Sequence, residues 1–226
     1  MKKPILLLLL TLATSFAFAQ LPTIGIKGGV NFASLGASGQ ANNVVAGTNL
    51  QASSGNITSF NIGVFADIKF GNVSLQPAIN FTGKGGTFDG TTGVLPGGST
   101  SQVHSKYNLY YVQVPVNIVY HIPVVIGEIY FGAGPYGSSG VHGKLKQTAV
   151  NTQSGSFGGS RDIKFGNESG EIKRMDYGAN AIAGIRLKGG LLFNINYDLG
   201  LTNILPDADG NKMKTRVLGI SAGFAF

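Results

Sequence analysis

Beyond residue 22, apolar and polar residues alternate with a period of two over eight separate stretches. They lie near 23–33, 58–70, 73–84, 107–121, 127–139, 176–188, 191–202 and 214–226. A period of two sends successive side chains to opposite faces, so each stretch reads as a β-strand with one apolar face. In the second, Phe60, Ile62, Val64, Ala66, Ile68 and Phe70 oppose Asn61, Gly63, Phe65, Asp67 and Lys69. In the third, Val73, Leu75, Pro77, Ile79 and Phe81 oppose Ser74, Gln76, Ala78, Asn80 and Thr82. In the seventh, Phe193, Ile195, Tyr197, Leu199 and Leu201 oppose Asn194, Asn196, Asp198 and Gly200. The pattern predicts an all-β chain folded as an eight-stranded antiparallel up-and-down β-barrel. Each stretch is long enough for the roughly 9–11 residues of a tilted transmembrane strand.

The connections sort by length. Gly71-Asn72, about 122–126 and Gly189-Gly190 are short. The others, about 34–57, 85–106, 140–175 and 203–213, are long and rich in Gly, Ser, Thr and Asn. Stretches such as GTTGVLPGGSTS (90–101) and NTQSGSFGGS (151–160) cannot bury a core and are expected to be mobile loops. Short turns at one rim and long loops at the other are the layout of outer-membrane barrels. A soluble barrel has the same strand count but no reason to sort its loops, and it turns its apolar face inward.

The last strand points the same way. Leu218, Ile220, Ala222, Phe224 and Phe226 share one face, with Gly219, Ser221, Gly223 and Ala225 behind them. An apolar outer face ending on an aromatic residue is how such a barrel closes its chain. Phe224 and Phe226 are therefore the expected C-terminal assembly signal. At the other end Lys2 and Lys3 precede the apolar run Ile5 to Leu10, and Ala17-Phe18-Ala19 precedes Gln20. This predicts a signal peptide over 1–19, cleaved after Ala19, and a barrel domain over 20–226. The core of that segment is short for a membrane helix and is interrupted by Thr11, Thr14 and Ser15.

Composition refines the class. No run after residue 20 approaches the roughly 20 apolar residues of a spanning helix. Without cysteine, neither disulfides nor thiolate metal sites are available. Removing Lys2 and Lys3 leaves 15 basic and 10 acidic residues, a net +5 that is dispersed rather than gathered into a nucleic-acid footprint.

With the apolar face outward, the lumen receives Lys27, Asp67, Lys69, Glu128, Arg186 and Asp198, together with Asn31, Asn61, Asn80, Gln113, Asn117, Asn180, Asn194 and Asn196. An eight-stranded barrel is only wide enough for its own side chains. These groups are expected to interlock as a charge-paired network; the alternative is an ion pathway or a catalytic site. Gly63, Gly132, Gly134, Gly178, Gly184, Gly219 and Gly223 fall on the inward face and leave room for Phe65, Tyr130, Tyr136 and Arg186, or mark bends. Pro115 lacks a ladder donor and predicts a bulge. In the absence of Trp, the interfacial belts fall to Phe32, Phe60, Phe81, Tyr110 and Tyr177 at the long-loop rim, and to Phe70, Tyr120, Phe193 and Phe226 at the other.

Candidate chemistry is thin. His104 and His142 fall in or beside long loops and are expected to be solvated; His121 lies near the short-turn rim. Ser101 and Ser105 flank His104, but there is no G-x-S-x-G elbow and no pair of histidines at ligand spacing. GIKGG (25–29) and GKGG (83–86) lie in strands, without the helix that a phosphate loop needs.

Several segments taken in order resemble the outer-membrane β-barrel family of Bacteroidota, the group that includes PorT-like proteins. They are GIKGGVNFASL (25–35), YYVQVPVNIVYHI (110–122), FGAGPYGS (131–138), MDYGANAIAGIRL (175–187) and YDLGLTNI (197–204). An acidic residue is common in the family at the place of Gln113. The resemblance implies a barrel in the outer membrane of a Gram-negative cell and carries over no catalytic residue. Some relatives are linked to protein secretion and gliding. The chain is expected to be a monomer with both termini periplasmic, no enzyme activity, and no cofactor or metal. Its expected partners are outer-membrane lipid and the barrel-insertion machinery, with a surface ligand bound by the long loops. An accessory role in a secretion machine, a narrow channel and a lipid-modifying enzyme are the alternatives.

Overall fold

Short polar-apolar alternations cannot leave a sheet edge open in lipid, where an unpaired backbone group costs several kcal/mol. The chain solves this by closing on itself. The structure, a computed structural model, describes residues 22–38, 53–92, 101–151, 155–166, 168, 171–205 and 212–226. The expected signal peptide lies outside them. The described strands are β1 (Thr23–Ser38), β2 (Ser53–Gly55), β3 (Ile57–Phe70), β4 (Val73–Thr92), β5 (Ser101–Val124), β6 (Gly127–Asn151), β7 (Gly155–Asp162), β8 (Met175–Leu187), β9 (Leu191–Gly200) and β10 (Lys212–Ala225).

Eight of them form an antiparallel ring in the order β1-β3-β4-β5-β6-β8-β9-β10. The ring closes between the first and last strands, from Gly25 opposite Ala225 to Ser38 opposite Lys212. β2 and β7 stand outside it, β2 pairing β4 and β7 pairing β6. The turns between β3 and β4 and between β8 and β9 carry Gly71 and Gly190 with φ of +65° and +89°, a conformation that glycine adopts without strain. Both ends of the barrel chain lie at this short-turn end: Ala225 N–H donates to Gly190 O at 2.8 Å and Phe226 N–H to Ile24 O at 2.8 Å.

The apolar face points outward. Ile62, Ile79, Ile118, Phe131, Phe193, Ile195 and Ile220 are all at least half exposed. Phe60, Phe81 and Tyr110 touch one another with ring centroids 5.8–5.9 Å apart, forming part of an aromatic belt towards the long-loop end. Tyr120 meets Phe131 at 5.8 Å, and Phe224 meets Phe226 at 5.2 Å, towards the short-turn end. The run of β3 between Phe60 and Phe70 matches the height of a transmembrane strand.

Three expectations are corrected. The stretches 85–106 and 140–175 are largely strand rather than loop: β4 and β5 stay paired out to Thr92 and Ser101, and β6 runs to Asn151 before β7 returns along it. Cross-strand hydrogen bonding and the alternating Thr, Val, Tyr and Phe of these segments outweigh their glycine and serine. The bulge does not fall at Pro115, which is buried and keeps its register opposite Tyr136. It falls where Tyr110 faces His142 and Tyr111 faces Gly140, so that Val141 is the extra residue. His104 and His142 are strand residues. His104 is bonded to Asp89, and His142 stacks on Tyr110 at 6.3 Å.

Candidate functional site

Inward-facing side chains fill the barrel in three linked groups. At the short-turn end, β3, β6 and β8 bring Asp67, Lys69, Glu128 and Arg186 together. Lys69 Nζ lies 2.6 Å from Glu128 Oε2, Arg186 contacts Glu128 Oε1, and Arg186 NH2 lies 3.1 Å from Asp67 Oδ2. His121 of β5 joins them, with Nδ1 3.1 Å from Glu128 Oε1 and Nε2 2.8 Å from Ser74 Oγ.

In the middle, Asp198 receives Gln113 Nε2–H at 3.0 Å and the Asn180 amide, while Asn117 donates to Asn180 Oδ1 at 2.7 Å. Ser221 donates to Asn61 Oδ1 at 2.9 Å, Asn61 to Asn31 Oδ1 at 2.6 Å, and Asn31 to Thr82 Oγ1 at 2.8 Å. Lys27 lines the space beside Asp198.

Towards the long-loop end, Lys84 Nζ lies 2.9 Å from Asp176 Oδ2, with both side chains fully buried. The ammonium also sits 4.4 Å from the Tyr136 ring centroid and 5.2 Å from that of Tyr111. Thr202 and Thr215 donate to the two Asp176 oxygens at 2.9 Å each. Above this pair Leu35, Leu109, Ile172, Ile204 and Met213 form a buried apolar plug. Tyr107 packs at its edge against Phe88, and burial pushes its hydroxyl pKa up, opposed by the Arg161 charge.

The six charged positions expected in the lumen thus lie on the inner face, four of them in one cluster. Lys84, Asp176 and the role of His121 were not among the expected lumen groups. All three continue a phase of the sequence pattern: Lys84 follows Asn80 and Thr82, Asp176 precedes Gly178 and Asn180, and His121 follows Gln113 and Asn117. The packing is tight. A Cβ on Gly178 would stand 2.7 Å from the Tyr136 ring, and one on Gly184 2.5 Å from Tyr130. Two cavities inside the polar lumen measure about 10 Å³ each, at the lower limit for one water.

This packing decides what the polar groups can do. Ser74, His121 and Glu128 stand in the order of a hydrolase triad, with Ser74 buried at 1% exposure. Asp67, His121 and Glu128 have ligand atoms within 4.8 Å of one another, yet Lys69 and Arg186 already balance the two carboxylates.

The family model for the outer membrane protein beta-barrel domain matches residues 18–205. The chain belongs to that family. Its outer-membrane location follows from the family and agrees with the outward apolar belt. Solved barrels similar to this family member include the attachment invasion locus protein Ail of Yersinia pestis, at 14% identity over 91% of this chain and 100% of that one, with a TM-score of 0.36. Neisserial surface protein A is 11% identical over 90% and 97%, with a TM-score of 0.40. OprG of Pseudomonas aeruginosa is 14% identical over 92% and 97%, with a TM-score of 0.41. No curated protein matches this member of the family.

Proposed function

We propose that this barrel is a non-enzymatic surface-binding protein of the outer membrane, with both termini in the periplasm. In this reading its work is done at the long-loop end. The observation that carries it is the continuation of β4, β5 and β6 beyond the aromatic belt, with β7 added alongside, above a filled lumen. The four strands make a ledge on the solvent side. Among the described residues β7 pairs only with β6, so its far edge offers unpaired backbone groups to an extended segment of a partner. The packed lumen supports a role that is neither channel nor enzyme. The outward Phe224 and Phe226 support recognition of the last strand by the insertion machinery, and the closed, fully paired ring supports a monomer.

A second reading, an accessory part of a secretion machine, draws on the ordered segments that resemble those of the Bacteroidota and PorT-like branch. Cysteine labelling on intact cells tests the orientation: Ser156→Cys in β7 should react with a membrane-impermeant maleimide, and Asn72→Cys in the short turn only after permeabilisation. The reverse pattern overturns the reading. A photo-crosslinking residue at Ser160 then separates the two roles, since an external ligand favours surface binding and a secretion component favours the second.

A further inference from the structure

The three short turns are not alike. Gly71-Asn72 and Lys188-Gly189-Gly190 carry glycine at positive φ, +65° at Gly71 and +89° at Gly190, and expose Asn72 and Lys188. The turn between β5 and β6 is Val125-Ile126, closed by the pair Val124 and Gly127. Val125 is 88% exposed, the highest value of any large apolar side chain among the described residues, and Ile126 is 59% exposed. Pro123 beside them is exposed as well.

Turn geometry does not ask for these residues. A two-residue hairpin turn favours glycine, asparagine and aspartate, whose backbones reach positive φ and follow the strand twist. Among the described residues positive φ is confined to glycines, so Val125 and Ile126 hold a negative φ that the twist does not favour. Two β-branched residues at such a place break a local rule, and breaks of that kind gather at functional sites.

Depth excludes lipid as the occupant. Tyr120 meets Phe131 in the aromatic belt, and Val125 follows five positions later. At about 3.3 Å per residue and a strand tilt of about 40°, the turn stands about 12 Å past the belt. The headgroup layer is only about 5–8 Å thick on each side. Lys188 N–H donates to Ile126 O at 3.1 Å, so the apolar turn is level with a charged one. A second copy fits no better, because barrels in one membrane stand side by side with their turns pointing the same way.

A small apolar knob standing in water fits an apolar cleft on another protein. The surface around it sets the edge of that cleft. A mouth of about 590 Å³ opens beside the turn, lined in part by Lys69, Glu128, Arg186 and Lys188. Glu128 is paired with Lys69 and Arg186, whereas Lys188 is exposed and forms no ion pair among the described residues. We propose that the β5–β6 turn is a docking knob for a periplasmic protein, with Val125 and Ile126 entering an apolar cleft and Lys188 meeting a carboxylate at its edge. The inference rests on the orientation proposed above, which puts the short turns in the periplasm.

The test places a photo-crosslinking amino acid at Pro123 of the full chain in growing cells and identifies the adducts by mass. The parent turn should give an adduct with a soluble periplasmic protein, mapped to apolar residues next to Asp or Glu. Val125→Asn with Ile126→Gly installs the favoured turn chemistry and removes both apolar side chains. It should keep or raise the stability of the barrel to urea, and lower the adduct roughly tenfold or more, the effect of losing one buried aliphatic side chain. Lys188→Glu should lower the adduct too, and Lys188→Arg should not. A heat-modifiable gel shift confirms that each variant has folded. The proposal is overturned if the double variant or Lys188→Glu keeps its adduct, or if no protein adduct forms. It is also overturned if the adducts are with phospholipid or a second copy. A double variant less stable than the parent overturns it as well, because the apolar pair would then serve the fold. Labelling of Asn72→Cys on intact cells reads the orientation separately. Reaction there without permeabilisation overturns the orientation and the periplasmic partner with it, whatever adducts form.

Discussion

Lys84 and Asp176, 92 positions apart in the chain, meet at 2.9 Å with neither side chain reaching solvent. They join β4 to β8 across the barrel and close the lumen beneath the apolar plug. Replacing Lys84 with Met should destabilise the barrel by about 3–5 kcal/mol, because Asp176 is left buried and unpaired. Adding Asp176→Leu should recover most of the loss. Urea unfolding of refolded protein measures both, and a Lys84→Met barrel as stable as the parent would contradict the pairing.

Arg186 tests the opposite end of the lumen. It touches both Asp67 and Glu128, so Arg186→Leu removes the partner of one carboxylate and weakens the other's. A loss of about 3–5 kcal/mol is expected by the same reasoning. Lys69→Leu should cost less, since Lys69 sits at the rim with a quarter of its side chain exposed. An equal loss in the two variants would mean that the rim pair is shielded from water.

How much of this could be read from the sequence follows from what period two encodes. Strand phase depends only on neighbours two residues away, so the alternation alone carries the inward faces of β3, β4 and β9. Pairing beyond the membrane was less visible. Thr87 and Phe88 stand among glycines and Ser105 in a polar run, and only their cross-strand partners show that the ladder continues. The meeting of Ser74 with His121, and of Lys84 with Asp176, depends on register and closure, to which the sequence pattern gives phase but not height. Pro115 gave a misleading signal, because a proline keeps the strand direction where its missing N–H is tolerated.

The outward phase of β10 makes a separate prediction. Ile220 is 52% exposed beside Val30 and Ile195, inside the apolar row. Ile220→Arg should therefore cost roughly 2–4 kcal/mol in lipid. Refolding into vesicles across a urea series measures it. Indifference to Ile220→Arg, with collapse on Ser221→Leu, would mean that the faces are reversed.

Phe226 ends the outward row of β10 and contacts Phe224 at 5.2 Å. Deleting it should lower the heat-modifiable fraction in the outer membrane while leaving refolding in detergent intact, if the residue is read during assembly. Gly223→Ala, on the inner side, should change assembly less at equal stability. Equal assembly of the Phe226 deletion and the parent would remove the signal from Phe226.

The most direct test of the closed lumen is electrical. Two cavities of about 10 Å³ each lie within the polar lumen, and the Arg186 cluster and the Lys84–Asp176 pair lie in series along it. Refolded protein inserted into a planar bilayer should show no steady conductance above the bare membrane. Single-channel steps of constant, large amplitude that persist over a range of voltages would contradict a filled barrel, and with it the assignment of function to the outer end.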